Sequence, residues 1–266
     1  GVFDYDIIGG VSAGALNAGV LASASRSRDA LKESARKVVE VWETEIRGNF
    51  SVYQRRVLWW VSGYFKKSLN HSRPLKQLLS KVVDPKKICS SGRQFYVGAV
   101  NANTRQYVEV DQNQSCLLDW IRASASFPIA LSPVEIDGDL YIDGGVRNNV
   151  PHLFLREVGQ SLEGIDIFMT APPRAVAGNE TKRRHLLSVV DLALSVLESL
   201  TGEVLYGDLF PYMDYLLKSL GRCEVRVFAP KSVIDVNPLE FDPQKIRCLI
   251  ERGYEEIRPL PLHEVI

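Results

Sequence analysis

The chain has 266 residues, 45% of them hydrophobic and 24% charged, and its 32 basic and 32 acidic side chains cancel. That length and composition suit one large α/β domain spanning residues 1–266 with a sizeable core, and exclude a disordered chain. Zero net charge and the lack of any recognition motif exclude nucleic acid as a partner.

The four cysteines (Cys89, Cys116, Cys223 and Cys248) are widely spaced with no CxxC pair. This speaks against a metal site or a disulfide framework and fits a reducing compartment. No apolar run reaches the roughly 20 residues that a membrane-spanning helix needs. A cytoplasmic or peripheral membrane location is therefore expected, and no cofactor is called for.

Taken in order, Phe3 to Ile8 reads as a buried strand, and Ala13 to Ala24 as a small-residue helix packed closely on it. From Arg28 to Trp42, apolar residues recur every three or four positions, which predicts a helix. Phe50 to Leu69 is aromatic and basic, and Leu75 to Val83 predicts a short helix ending before Asp84-Pro85. Gln94 to Val100 and Gln106 to Val110 predict a hairpin around Asn101-Ala102-Asn103. Leu117 to Ala125 reads as a helix. Val134-Glu135-Ile136 and Leu140-Tyr141-Ile142 predict a second hairpin, turned by Asp137-Gly138. Ile165 to Thr170 and Val225 to Ala229 read as later strands. Leu186 to Leu200 and Tyr212 to Leu220 read as helices, the first an amphipathic core helix, and Pro243 to Tyr254 as a closing helix.

The chemistry concentrates in two places. The first is Gly10-Val11-Ser12-Ala13-Gly14, where an apolar strand feeds a tight turn and a helix follows. Strand, serine-bearing turn and helix in that order expose a nucleophilic hydroxyl above a sheet. Gly10 and Gly14 are expected to let backbone and helix pass close by. Ser12 would sit at the helix N-terminus, where the Ala13 N–H could meet an oxyanion. A dinucleotide-binding turn is the rival reading. Gly9 and Gly14 fit its first and third glycines, but Val11 occupies the second, where pyrophosphate must approach the backbone. Asp29 has the spacing of the expected acidic residue but lies in a charged helix.

The second place is Asp143-Gly144-Gly145, where a strand ends in a carboxylate and two glycines turn the chain. Strand ends are where open α/β sheets keep their sites. A serine hydroxyl needs a base. Asp143 is one candidate; His152, nearest of the four histidines to it in sequence, would make a triad instead.

Together these segments resemble the patatin-like phospholipase family. The ordered features are the apolar strand into Gly-x-Ser-x-Gly, the segment Ala123-Ser124-Ala125-Ser126-Phe127-Pro128, Pro133-Val134 before a hairpin, and Asp-Gly-Gly followed by Asn148-Asn149-Val150-Pro151. The resemblance is tight over residues 3–24 and 120–151. It implies a three-layer α/β/α sandwich with a mostly parallel central sheet, and hydrolysis of acyl esters in lipids or phospholipids. It implies a serine–aspartate dyad of Ser12 and Asp143, with Ala13 as a partial oxyanion donor and Gly144 and Gly145 as structural members of the motif. The family pattern also includes a glycine-rich oxyanion loop ahead of the serine, expected here upstream of Gly1. A partner-activated or non-catalytic module of the same fold is the alternative function, and a flavin or nucleotide binder a further one.

A dyad without histidine needs a dry pocket to make the carboxylate basic, and Phe127, Pro128 and Leu131 are candidates to line it. Trp59 and Trp60, flanked by Arg55, Arg56, Lys66 and Lys67, are candidates for contact with a membrane surface.

Overall fold

A computed structural model of the chain describes residues 4–55, 68, 70–155, 162–170, 192–193, 195–197, 200, 223–232 and 239–260. Their contacts divide the chain into two compact units. One comprises residues 1–151 with 241–243, and the other 152–240 with 244–266.

The first unit contains β1 (Ile7–Gly10), α1 (Ala13–Ala22), α2 (Arg28–Glu40), β2 (Gln54–Arg55), β3 (Asn70–His71), α3 (Arg73–Val82), α4 (Pro85–Ser90), β4 (Gln94–Asn101), β5 (Tyr107–Asp111), α5 (Leu117–Ser124), β6 (Val134–Ile136) and β7 (Asp139–Asp143). Most of these follow the sequence pattern. Ser27 caps α2 by accepting the Ala30 N–H at 3.1 Å. The turn after β4 is held by Asn101, whose Oδ1 accepts the N–H groups of Asn103 and Thr104. Asp137 and Gly138 both take positive φ, 51° and 85°, as a two-residue hairpin turn requires.

The central sheet has five strands, with β4 in the middle. It is mixed rather than mostly parallel: β1 runs parallel to β4, while β5 and β7 are antiparallel to β4 and β6 is antiparallel to β7. Two of these pairings, β4 with β5 and β6 with β7, are hairpins, whose short turns can only join antiparallel neighbours. β1 also ends later than its apolar run suggests. Gly9 and Gly10 belong to the strand because they pair with Tyr96 and Val97, so tertiary pairing overrides their poor strand preference.

The register has a direct geometric consequence. Tyr96 and Val97 pair with β1 on one side and β5 on the other. Ala99 and Val100 pair with β5 and, opposite it, with β7. β1 and β7 therefore share one edge of β4. β1 runs with β4 and stops at Gly10, opposite Val97; β7 runs against it and stops at Asp143, opposite Ala99. The C-terminal ends of the two strands converge on Gly98.

Around this edge the core is close-packed. α1 buries Ala15, Leu16, Ala18, Gly19, Val20 and Ala22. A side chain at Gly19 would press against Ile121 of α5 at 3.2 Å. Phe95, Val97 and Ile121 are fully enclosed. The Arg93 side chain is buried just before β4. Its guanidinium donates to the carbonyls of Ala24 at 2.9 Å, Ser25 at 2.7 Å and Tyr5, and pairs with Asp4 at 2.6 Å. A buried cation survives only with such partners, and here they tie the approach to β1 to the loop after α1.

The second unit contains β8 (Gly164–Phe168), β9 (Glu224–Ala229), most of α6 (Pro243–Glu256) and β10 (Arg258–Leu260). β8 and β9 are parallel, and β10 is antiparallel to β9. Arg226 grips Asp166 through two bonds of 2.7 Å, and Phe168 stacks on Phe228 with centroids 4.7 Å apart. The loop read over 171–182 and the helix over 212–220 lie outside the described residues. Of the helix read over 186–200, the described positions are helical. Leu192, Val196 and Leu200 are about half exposed there rather than in the core; apolar side chains on a surface are common.

Gly10 and Gly14 behave differently despite their shared motif. A Cβ at Gly10 would stand 2.2 Å from the Gly14 carbonyl oxygen, whereas one at Gly14 would meet nothing within 4 Å. The close approach rests on Gly10 alone. Gly10→Ala is expected to destabilise the protein by at least about 1–3 kcal/mol through overpacking. Gly14→Ala, within helix α1, is expected to stabilise it by about 0.5–1 kcal/mol. Chemical denaturation of both variants checks the contrast; equal effects would contradict this packing.

Candidate active site

Ser12 lies between the end of β1 and the start of α1, with φ 57° and ψ −129°. A serine at positive φ is held by its surroundings against a cost of about 1–3 kcal/mol. The turn raises the side chain off the strand end and leaves Ser12 half-buried, while Ala13 and Gly14 beyond it are exposed. Ala13 occupies the first helical position, whose N–H has no acceptor within the helix.

Asp143 closes β7 and is 2% exposed. Its Oδ2 accepts the Ser12 hydroxyl at 2.7 Å, and its Oδ1 accepts the Gly145 N–H at 2.8 Å. Gly144 must be glycine, because a Cβ there would sit 2.5 Å from the Gly98 carbonyl oxygen and 2.9 Å from Val11. At Gly145 a Cβ would lie 2.9 Å from Asn149 Oδ1 and 3.1 Å from the Asp143 carboxylate. The glycines therefore let the chain turn away beside the carboxylate without displacing it.

Burial pushes the Asp143 carboxyl from its ordinary 3.8 up to about 6, against the lowering effect of the hydrogen bonds from Ser12 and Gly145. The hydroxyl and carboxylate meet directly. In a histidine triad an imidazole stands between them, so His152 does not have that place in the Ser12–Asp143 contact.

Two further residues hold the pair; they lie in the segment 123–128 that carries part of the family resemblance, but the sequence assigns them no role. Ser124, the last residue of α5, accepts the Ser12 N–H on its Oγ at 2.9 Å. Two positions on, the Ser126 carbonyl accepts the Asp143 N–H at 3.0 Å. Apart from that resemblance, their sequence signal is a run of small residues at a helix end. In the following turn Leu131 is buried, while Phe127 and Pro128 are half-buried. Trp59 and Trp60 lie outside the described residues. Among the described residues no group of three or more His, Cys, Asp or Glu side chains could hold a metal ion, and no helix is long and apolar enough to cross a membrane.

The raised carboxyl makes stability depend on pH. Below pH 3.8 folded and unfolded states are both protonated at this position, and the stability associated with it is fully present. As pH rises through about 6 the folded state must carry a buried charge, and that stability is lost, by about 3 kcal/mol at most. Asp143→Asn keeps an acceptor oxygen and carries no charge. Its melting temperature should exceed that of the parent at neutral pH, and the gap should close on acidification below about pH 4. A gap that does not vary with pH would contradict the assignment.

Comparison with known proteins gives the family of the chain. Residues 2–156 match the family model described as patatin-like phospholipase. Solved structures similar to the chain include VipD from Legionella pneumophila, at 12% identity and a TM-score of 0.29, covering 91% of this chain and 44% of VipD. The chain thus spans less than half the length of that relative. No curated protein matches it in sequence. With more than half of its residues matched by one family model, the strand-turn-helix around Ser12 and the Asp-Gly-Gly turn both within the match, the chain belongs to the patatin-like phospholipase family.

Proposed function

We propose that this protein hydrolyses acyl esters of lipids, with Ser12 as nucleophile and Asp143 as its base. The observation that carries this reading is the 2.7 Å hydrogen bond from the Ser12 hydroxyl to a carboxylate that is almost fully buried. An exposed aspartate is too weak a base for an alcohol; one raised to about 6 is ionised at neutral pH yet better able to take a proton.

In the first step the Ser12 oxygen attacks the ester carbonyl carbon and its proton passes to Asp143 Oδ2. The tetrahedral oxyanion is met by the Ala13 N–H at the positive end of α1. Collapse breaks the bond to the alcohol, which leaves with the proton returned from Asp143, and the acyl group stays on Ser12. Water then attacks the acyl-serine, Asp143 takes a proton from it, and Ser12 leaves as the hydroxyl. The exposure of Ala13 and Gly14 supports entry of substrate from the helix side.

Ser12→Ala and Asp143→Asn should each lower ester turnover by at least about 10³-fold with the fold preserved by circular dichroism. A fluorophosphonate probe should label Ser12 and leave Ser12→Ala unlabelled, read by peptide mass spectrometry. Full turnover in either variant would refute the mechanism. The base must be ionised, so kcat/KM should rise with pH through about 6. An acid limb near pH 4 would mean that Asp143 is not the titrating group.

Lipid substrates are presented at a surface, and we place peripheral membrane contact at the aromatic and basic segment 55–67 on its composition. Trp59→Ala combined with Trp60→Ala should reduce co-sedimentation with phospholipid vesicles while sparing turnover of a soluble short-chain ester. Unchanged co-sedimentation would remove this segment from the reading.

A further inference from the structure

Ser124 is fully enclosed and 112 residues from Ser12 in sequence, yet its hydroxyl oxygen holds the Ser12 N–H at 2.9 Å. That N–H belongs to a residue at positive φ, the least self-supporting backbone in the site. It precedes α1, so no helical carbonyl takes it. The segment that supplies the bond is itself tied to the end of α5 by hydrogen bonds. Ala125 donates its N–H to the carbonyls of Ile121 and Arg122, and the Ser126 hydroxyl donates to the Arg122 carbonyl at 2.9 Å. Through Ser126 the same segment also accepts the Asp143 N–H. One short stretch at the end of α5 therefore grips the main chains of both residues whose side chains meet.

We propose that Ser124 is a positioning residue: by holding the Ser12 N–H it fixes the turn that keeps the Ser12 hydroxyl within proton-transfer distance of Asp143. The inference rests on the hydrolase reading for its kinetic consequence, though not for its structural one. Without the Ser124 hydroxyl the Ser12 N–H loses its acceptor, and the turn can relax toward ordinary φ and carry Oγ away from the carboxylate. A displacement of about 1 Å at a reacting group costs about 100-fold in rate. It also weakens the hydrogen bond that holds the Asp143 carboxyl down against burial, so the carboxyl should titrate higher.

The test compares Ser124→Ala with the parent protein on a soluble short-chain ester and, separately, by carboxyl carbon NMR of Asp143 across pH. Expected is a kcat lowered about 10- to 100-fold with KM changed less than about twofold, together with an acid limb and an Asp143 midpoint both moved to higher pH. A merely structural loss would reduce the active fraction and leave the pH profile in place. An unchanged kcat, or an unchanged Asp143 midpoint in the folded variant, overturns the proposal. Ser124→Cys, size-matched with a weaker acceptor, should fall between the two, and it replaces Ser124→Ala if the latter does not fold. If neither variant folds, the hydroxyl serves the fold as a whole and the proposal fails. The NMR arm separates the two readings. A raised midpoint in a protein whose parent form turns over no ester supports the positioning role and sinks the hydrolase; ester turnover that needs Ser12 with an unmoved midpoint does the reverse.

Discussion

The site depends on one constraint of sheet geometry: two strands of opposite direction share one edge of β4 and stop on either side of Gly98. Each strand delivers a residue at its C-terminal end. β1 delivers the turn that carries Ser12, and β7 delivers Asp143. Because the strands point at each other, the gap between their ends is set by the register along β4 rather than by any loop. Gly144 keeps the gap narrow, since a Cβ there would strike the Gly98 carbonyl. Backbone pairing thus brings the two strand ends together, and the Ser12 turn completes a 2.7 Å contact between residues 131 positions apart.

The same arrangement places a charge where water is excluded. Of the polar groups that touch the Asp143 side chain, the Ser12 hydroxyl and the Gly145 N–H both lower its pKa, and burial outweighs them. The protein accepts a carboxylate that is costly to ionise above about pH 6. Carboxyls raised by burial beside a specific partner are found preferentially at functional sites. The strained φ of Ser12 belongs to the same pattern, supported by Ser124 from one side and Asp143 from the other.

Much of this was legible in the sequence because it rests on local rules. The turn at Gly10-Val11-Ser12 has strand and helix signals on both sides, and Asp137-Gly138 names its own hairpin. The family resemblance joined Ser12 to Asp143, which spacing alone could not do. Other features were hidden because they are long-range. The bond from Ser12 to Ser124 leaves no periodicity to read, and Arg93 looks like any surface arginine until the carbonyls around it are seen. The sheet was expected to be mostly parallel, although the two hairpins were themselves read from the sequence and oblige antiparallel neighbours. Gly10 and Gly14 carry the same letter in one motif, and only coordinates show that one faces backbone and the other open space.

The separation of the two residues along the chain also governs when they can meet. During synthesis the Ser12 turn emerges before β7, which follows only after more than a hundred further residues. Until then the hydroxyl has no carboxylate beside it, and β4 lacks the neighbour that lines up its far end. A nascent or nicked chain that has not closed this long loop therefore presents Ser12 without its carboxylate acceptor. The pairing that sets Asp143 beside Ala99 is also the one that brings it to Ser12.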